Sequence, residues 1–176
     1  MAVFSSTIYS GRDIQKISNF KTDAFDQKDF GCLGYMNDDK VMMFSRTFKK
    51  HTLQSVFSEK PITELPPVGI VYYYASAKPD ILTMMAQNHR GIVIIGSGSG
   101  NYSQAWLNEI ETLGAQGIIF VRASRVNQGI VYESDVFDPH NVCIPSNTLS
   151  GQKARVLIML ALRDRKSTRL NSSHIL

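Results

Sequence analysis

The stretch Gly91-Ile-Val-Ile-Ile-Gly-Ser-Gly-Ser-Gly-Asn101 decides the fold. Its β-branched run between glycines reads as a strand buried on both faces. The glycine-rich segment that follows reads as a turn, and Asn101 and Ser103 stand where a helix begins. Such a turn brings backbone N–H groups close to a ligand at a helix N-terminus. It marks a small-molecule site at the carboxyl end of a parallel strand.

The same alternation extends to either side. Gly69-Ile-Val-Tyr-Tyr-Tyr74 and Gly117-Ile-Ile-Phe-Val121 read as further apolar strands. Residues 79–88 read as a helix with Ile81, Leu82, Met84 and Met85 on its apolar face and Pro79 in its first turn. Residues 103–113 place Trp106, Leu107, Ile110 and Leu113 at helical spacing. Residues 126–147 form a long loop region, extended over 129–132. Ser150 caps a last helix, 152–162, with Ala154, Leu157, Ile158 and Ala161 or Leu162 on its stripe. Strands alternating with helices imply an α/β fold, a parallel sheet with flanking helices. Right-handed crossovers put the turns after Tyr74, Ile95 and Val121 on one edge.

Upstream the pattern differs. Residues 3–9 read as one short strand with nothing beside it to pair with, as expected of a chain that starts inside a domain. Residues 14–30 read as irregular. The segments 33–36 and 40–44 flank Asn37-Asp-Asp39 and read as a hairpin. Residues 46–66, ending in Leu65-Pro-Pro67, read as an extended linker. The segment Arg165–Leu176 departs in composition and periodicity. It resembles translated sequencing-adapter read-through, so 164–176 is expected to be a non-native tail.

The chain of 176 residues has a formal charge of +4. Arg165, Lys166 and Arg169 of the final segment, which holds no acid, supply most of it. No broad basic field remains, which argues against nucleic-acid binding. No apolar run approaches the roughly 20 residues of a membrane span, and residues 1–9 lack the features of a signal peptide. Cys32 and Cys143 show no metal-binding spacing and read as buried or idle thiols. His51, His89, His140 and His174 are scattered, no GxSxG elbow surrounds Ser97, Ser99 or Ser103, and no complete catalytic constellation is present.

The glycine loop has GxGxG spacing, and the next strand ends in Arg122-Ala-Ser-Arg125 without the acid that would hold a ribose. A dinucleotide is therefore disfavoured and no cofactor is expected. Asn101 is either a polar ligand contact or a helix N-cap. Arg122 and Arg125 either grip a carboxylate or tie down a loop. Glu133 and Asp135, with Asp138 close behind, either bind an amino group or form a solvated loop face.

Several motifs in register carry a resemblance. Tyr9-Ser-Gly-Arg-Asp13, Phe30-Gly-Cys-Leu-Gly-Tyr35, Leu65-Pro-Pro-Val-Gly-Ile-Val-Tyr72, Gly98-Ser-Gly-Asn101, Val121-Arg-Ala-Ser-Arg-Val126 and Gln152-Lys-Ala-Arg-Val156 resemble the second half of a bacterial L-asparaginase along residues 3–163. The resemblance implies that residues 1–45 end a larger N-terminal α/β domain, 46–66 link, and 67–163 form the smaller C-terminal α/β domain. It implies hydrolysis of L-asparagine, and in some members L-glutamine, by homotetramers built from close dimers. The catalytic threonines of the family lie upstream of the segment matched by Val3, so no catalytic residue is expected here, and the chain alone is expected to be inactive. What this half contributes in the family is substrate binding across the dimer. Asn101 matches an asparagine that follows the glycine loop. The chain is about one residue shorter than the family between Gly129 and Asp138; aligned from the right, Asp135 takes the place of the family's substrate-binding glutamate, with Glu133 the alternative.

Two functional readings follow. The first is the substrate-binding and dimer-contact half of an asparaginase, cytoplasmic or periplasmic. The second is a standalone α/β module that binds a small amino-acid-like ligand or serves oligomerisation. A nucleotide-linked oxidoreductase fails on the missing ribose acid.

Overall fold

A computed structural model of the protein describes residues 1–27, 29–58 and 61–163. The expected tail, 164–176, lies outside the described residues. The chain divides into two compact units, one up to residue 59 and one from residue 60. That division falls within the segment read as a linker.

In the first unit, β1 (Ala2–Phe4) and β2 (Thr7–Tyr9) form an antiparallel hairpin. The expectation of a single unpaired strand over 3–9 is corrected here. Ser5 and Ser6 take φ of 47° and 59°, so both turn residues are left-handed, as a type I′ turn requires. Phe4 is thereby folded back opposite Thr7. Residues 14–30 are also more ordered than expected, with a two-stranded ribbon of β3 (Gln15–Lys16) and β4 (Phe25–Asp26). The expected hairpin is present as β5 (Gly34–Asn37) and β6 (Lys40–Met43), turning at Asp38 with φ 54°. β5 pairs with β2, giving the antiparallel order β1-β2-β5-β6. Ile8 and Tyr9 are buried, and the Tyr9 hydroxyl donates to Phe25 O at 3.2 Å. Two 3₁₀ turns, Thr52–Gln54 and Val56–Ser58, follow.

The second unit holds β7 (Val68–Tyr72), α1 (Asp80–Ala86), β8 (Gly91–Gly96), α2 (Gln104–Ala115), β9 (Ile119–Ser124), β10 (Cys143–Pro145) and α3 (Gly151–Arg163). The strands form a parallel sheet in the order β10-β9-β8-β7. Every residue of β8 is buried, because it is an inner strand covered on both faces. Side chains alternate across the pleat. Val93, Ile95, Val121 and Ala123 pack with Ala154, Ile158 and Leu162 of α3. Ile92, Ile94 and Phe120 pack with Leu82 of α1 and Trp106, Ile110 and Leu113 of α2. Each Val, Leu, Ile or Phe side chain among them contributes roughly 1.5–3 kcal/mol on burial. Trp106 is wholly buried; its indole N–H donates to Ala77 O at 2.8 Å, as a buried indole needs.

Two local expectations are corrected. On α1 the core face is Leu82, Met85 and Ala86, whereas Ile81 and Met84 are exposed. Within the expected loop 126–147, Cys143-Ile-Pro145 forms the edge strand β10. Ser150 does cap α3, accepting the Lys153 N–H on its hydroxyl at 3.4 Å and the Ala154 N–H on its carbonyl at 2.8 Å.

Candidate functional site

The glycine loop leaves the carboxyl end of β8 and closes on itself. Ser97 O accepts the N–H groups of Gly100 and Asn101 at 2.9 and 2.7 Å, and Ser97 N–H donates to Asn101 O at 3.1 Å. Gly98 and Gly100 supply φ of 48° and 89°, which glycine adopts at no steric cost. Gly96 serves close approach instead. A Cβ on it would lie 2.6 Å from Gly100 O and 2.7 Å from Asn101 O.

Ser103, extended at φ −77° and ψ 163°, occupies the N-cap of α2. Asn101 lies two residues before it, so of the two readings left open for Asn101 the helix cap does not hold. Its side-chain Oδ1 is buried with no hydrogen-bond partner among the described residues. A buried amide oxygen without a donor is costly, so this atom is a strong candidate for a ligand contact.

Arg122, on β9, is 2% exposed. Its Nη1 donates to Ser99 O at 2.8 Å, and its Nη2 donates to Tyr132 O. The tie-down reading of this arginine holds. Ser124 donates its hydroxyl proton to Gly98 O, and Arg125, which is exposed, donates its main-chain N–H to Gly96 O at 3.0 Å.

Glu133 and Asp135 are both exposed. No hydrogen bond joins either to Asn101 among the described residues. What links the two stretches is Arg122, through Ser99 on one side and Tyr132 on the other. Asp138 behaves differently from its two neighbours. It is 3% exposed, and its carboxylate accepts the N–H groups of Val142 and Cys143 at 2.9 and 2.8 Å. It holds the entry into β10.

Beneath the loop, the Tyr102 hydroxyl lies 3.6 Å from the Cys143 thiol. Burial, and secondarily the Asp138 charge, push the Cys143 thiol up to about 12. Burial likewise raises the Tyr102 phenol. Both stay protonated and neutral at ordinary pH, so Cys143 is inert as a nucleophile. His140 Nδ1 sits 2.7 Å from Glu111 Oε1. Among the described residues no group of three or more His, Cys, Asp or Glu side chains could hold a metal ion, and no helix is long and apolar enough to cross a membrane. The unpartnered Asn101 oxygen and the Arg122 bridge were not legible as such in the sequence. The two residues themselves, and the glycine loop, were.

The family model of the glutaminase/asparaginase C-terminal domain matches residues 67–170, the unit built around this loop. The chain belongs to the glutaminase/asparaginase family. It is 32% identical over 172 residues to a probable periplasmic L-asparaginase of Haemophilus influenzae, covering 97% of this chain and 49% of that protein. It is 34% identical over 168 residues to L-asparaginase 2 of Escherichia coli, covering 94% of this chain and 48% of the relative. A crystal structure of a probable cytoplasmic L-asparaginase from Campylobacter jejuni superimposes with a TM-score of 0.82 at 34% identity, covering 93% of this chain and 54% of that one. The chain thus spans about half the length of the curated relatives it matches. As an asparaginase-family C-terminal domain, its parallel sheet with flanking helices is the expected α/β architecture.

Proposed function

We propose that these residues supply the substrate-binding and subunit-contact half of an L-asparaginase, acting on L-asparagine or L-glutamine within a homo-oligomer. The observation that carries the reading is the buried Oδ1 of Asn101, without a partner among the described residues, on a glycine loop of the family's C-terminal domain. The names of the relatives, L-asparaginase and glutaminase-asparaginase, support the substrate class.

In this mechanism a threonine outside these residues attacks the side-chain amide carbon of the substrate. Ammonia leaves, and water hydrolyses the resulting acyl-enzyme. Asn101 and an acid of the following loop orient the substrate, an entropic contribution rather than a chemical one. Asp135 is assigned to the substrate α-ammonium, with Glu133 as the alternative; such a charge-assisted hydrogen bond is worth roughly 1.5–3 kcal/mol.

The test is ammonia release from L-asparagine and L-glutamine. The purified chain is expected to give none alone, and to give activity when co-expressed with the N-terminal half of the E. coli relative. Turnover by the chain alone overturns the division of labour. Absence of turnover in the complemented assay, with both halves soluble and associated, overturns the asparaginase reading.

A further inference from the structure

A buried guanidinium is usually matched by a carboxylate or phosphate, because removing its charge from water is costly. The fork of Arg122 reaches instead two main-chain carbonyls, Ser99 O and Tyr132 O. These belong to different loops, one carrying Asn101 and the other Glu133 and Asp135. The backbone beneath the fork is fixed. Arg122 pairs with Ile94 on one side and Pro145 on the other, and its carbonyl accepts the Ser146 N–H at 2.9 Å. The glycine loop also lies directly on the arginine stem. A Cβ at Gly100 would stand 3.0 Å from Arg122 Cγ and 3.1 Å from Ala123 O.

We propose that Arg122 is a positioning residue that holds the Asn101 loop in register with the Glu133–Asp135 stretch, through simultaneous hydrogen bonds to Ser99 O and Tyr132 O. That these stretches contact substrate rests on the function proposed above; the mechanical coupling between them does not. The role depends on the fork. Its two terminal nitrogens point at separate acceptors in a fixed plane, whereas a lysine presents one nitrogen on a flexible stem. With the strut in place the two substrate contacts move together.

The experiment is amide hydrogen exchange on the chain, comparing wild type, Arg122→Lys and Gly98→Ala. The reporters are the Asn101 N–H, bonded to Ser97 O, and the Asp138 N–H, bonded to Ser134 O at 2.8 Å, with the amides of β8 as reference. Arg122→Lys is expected to speed exchange at both reporters about tenfold while β8 is unchanged. Gly98→Ala, strained at φ 48° and with only the Asn101 amide within 4 Å of its Cβ, is expected to speed Asp138 as well, and the double variant to add little to Arg122→Lys at that position. Wild-type exchange in Arg122→Lys, or an unmoved Asp138 in Gly98→Ala, overturns the strut. If Arg122→Lys opens β8 too, the Gly98→Ala result decides alone. In the complemented enzyme, Arg122→Lys is expected to raise KM for asparagine about tenfold with kcat nearly kept. A merely destabilised chain would lose active sites, lowering kcat at unchanged KM. Coupled exchange in a chain that never supports ammonia release would leave the strut standing and remove the asparaginase reading.

Discussion

The Asp138 carboxylate is bonded to the main chain of Cys143, whose N–H donates to Oδ2 at 2.8 Å, and the same carboxylate also accepts the Val142 N–H at 2.9 Å. Asp138→Ala removes a buried acceptor and leaves two donors at the start of β10. The expected loss is roughly 2–4 kcal/mol, with Asp138→Asn losing less because one amide oxygen remains. Urea unfolding followed by fluorescence measures it cleanly, since Trp106 is the single tryptophan and lies in the second unit.

The Cys143 thiol carries a pH dependence of known sign. Its folded value is pushed up from 9.0 to about 12, so the folded state keeps a proton that the unfolded state has released. Stability is full below about pH 9 and falls as pH rises towards 12. The slope is about 1.4 kcal/mol per pH unit for one such proton. Tyr102, also raised by burial, steepens the fall above its ordinary range. Cys143→Ala is expected to flatten the loss of stability between pH 9 and 10 in the same fluorescence assay. An unchanged slope refutes the assignment.

Asn101 and the loop acids separate by their effects on activity. Asn101→Ala deletes a side chain whose buried Oδ1 has no hydrogen-bond partner among the described residues, so stability is expected to be kept or raised, by up to about 1 kcal/mol. In the complemented enzyme kcat/KM for asparagine is expected to fall about 10- to 100-fold, the equivalent of roughly 1.5–3 kcal/mol. Asp135→Asn is expected to cost a similar factor and Glu133→Gln almost none. The reverse order would reassign the acid role to Glu133.

Gly96→Ala tests the close approach at the loop base. Its Cβ would collide with the carbonyl oxygens of Gly100 and Asn101, at 2.6 and 2.7 Å, neither of which can swing aside as a side chain would. A loss of about 1–3 kcal/mol is expected, accompanied by faster hydrogen exchange at the Ser97 amide. Unchanged thermal unfolding would show that the loop relaxes freely.

The sequence was most readable where burial imposes a pattern. Gly91–Gly96 is a strand because every residue is inside, and Trp106, Leu107, Ile110 and Leu113 mark α2 because all four face the core. β10 escaped because it is three residues long and ends in a proline, tolerable at the edge of a sheet and a discouraging signal elsewhere. The β1–β2 turn escaped because Ser5 and Ser6 take a conformation usually marked by asparagine or glycine. Exposed Ile81 and Met84 show that apolar residues on a short helix need not all be core. The motifs located Asn101, yet its unpartnered buried oxygen and the fork of Arg122 are facts of distance between loops more than 20 residues apart, and spacing along a chain does not encode them.

Gly96 is at once the last residue of β8 and the first of the glycine loop. No hinge residue separates the ladder from the turn, and Asn101 stands five positions beyond the most deeply enclosed strand of the unit. Opening of this loop therefore begins at the Ser97–Asn101 hydrogen bonds and stops at Gly96, whose pairing with Ser124 belongs to the ladder, so the loop swings from an anchored base while β8 stays closed.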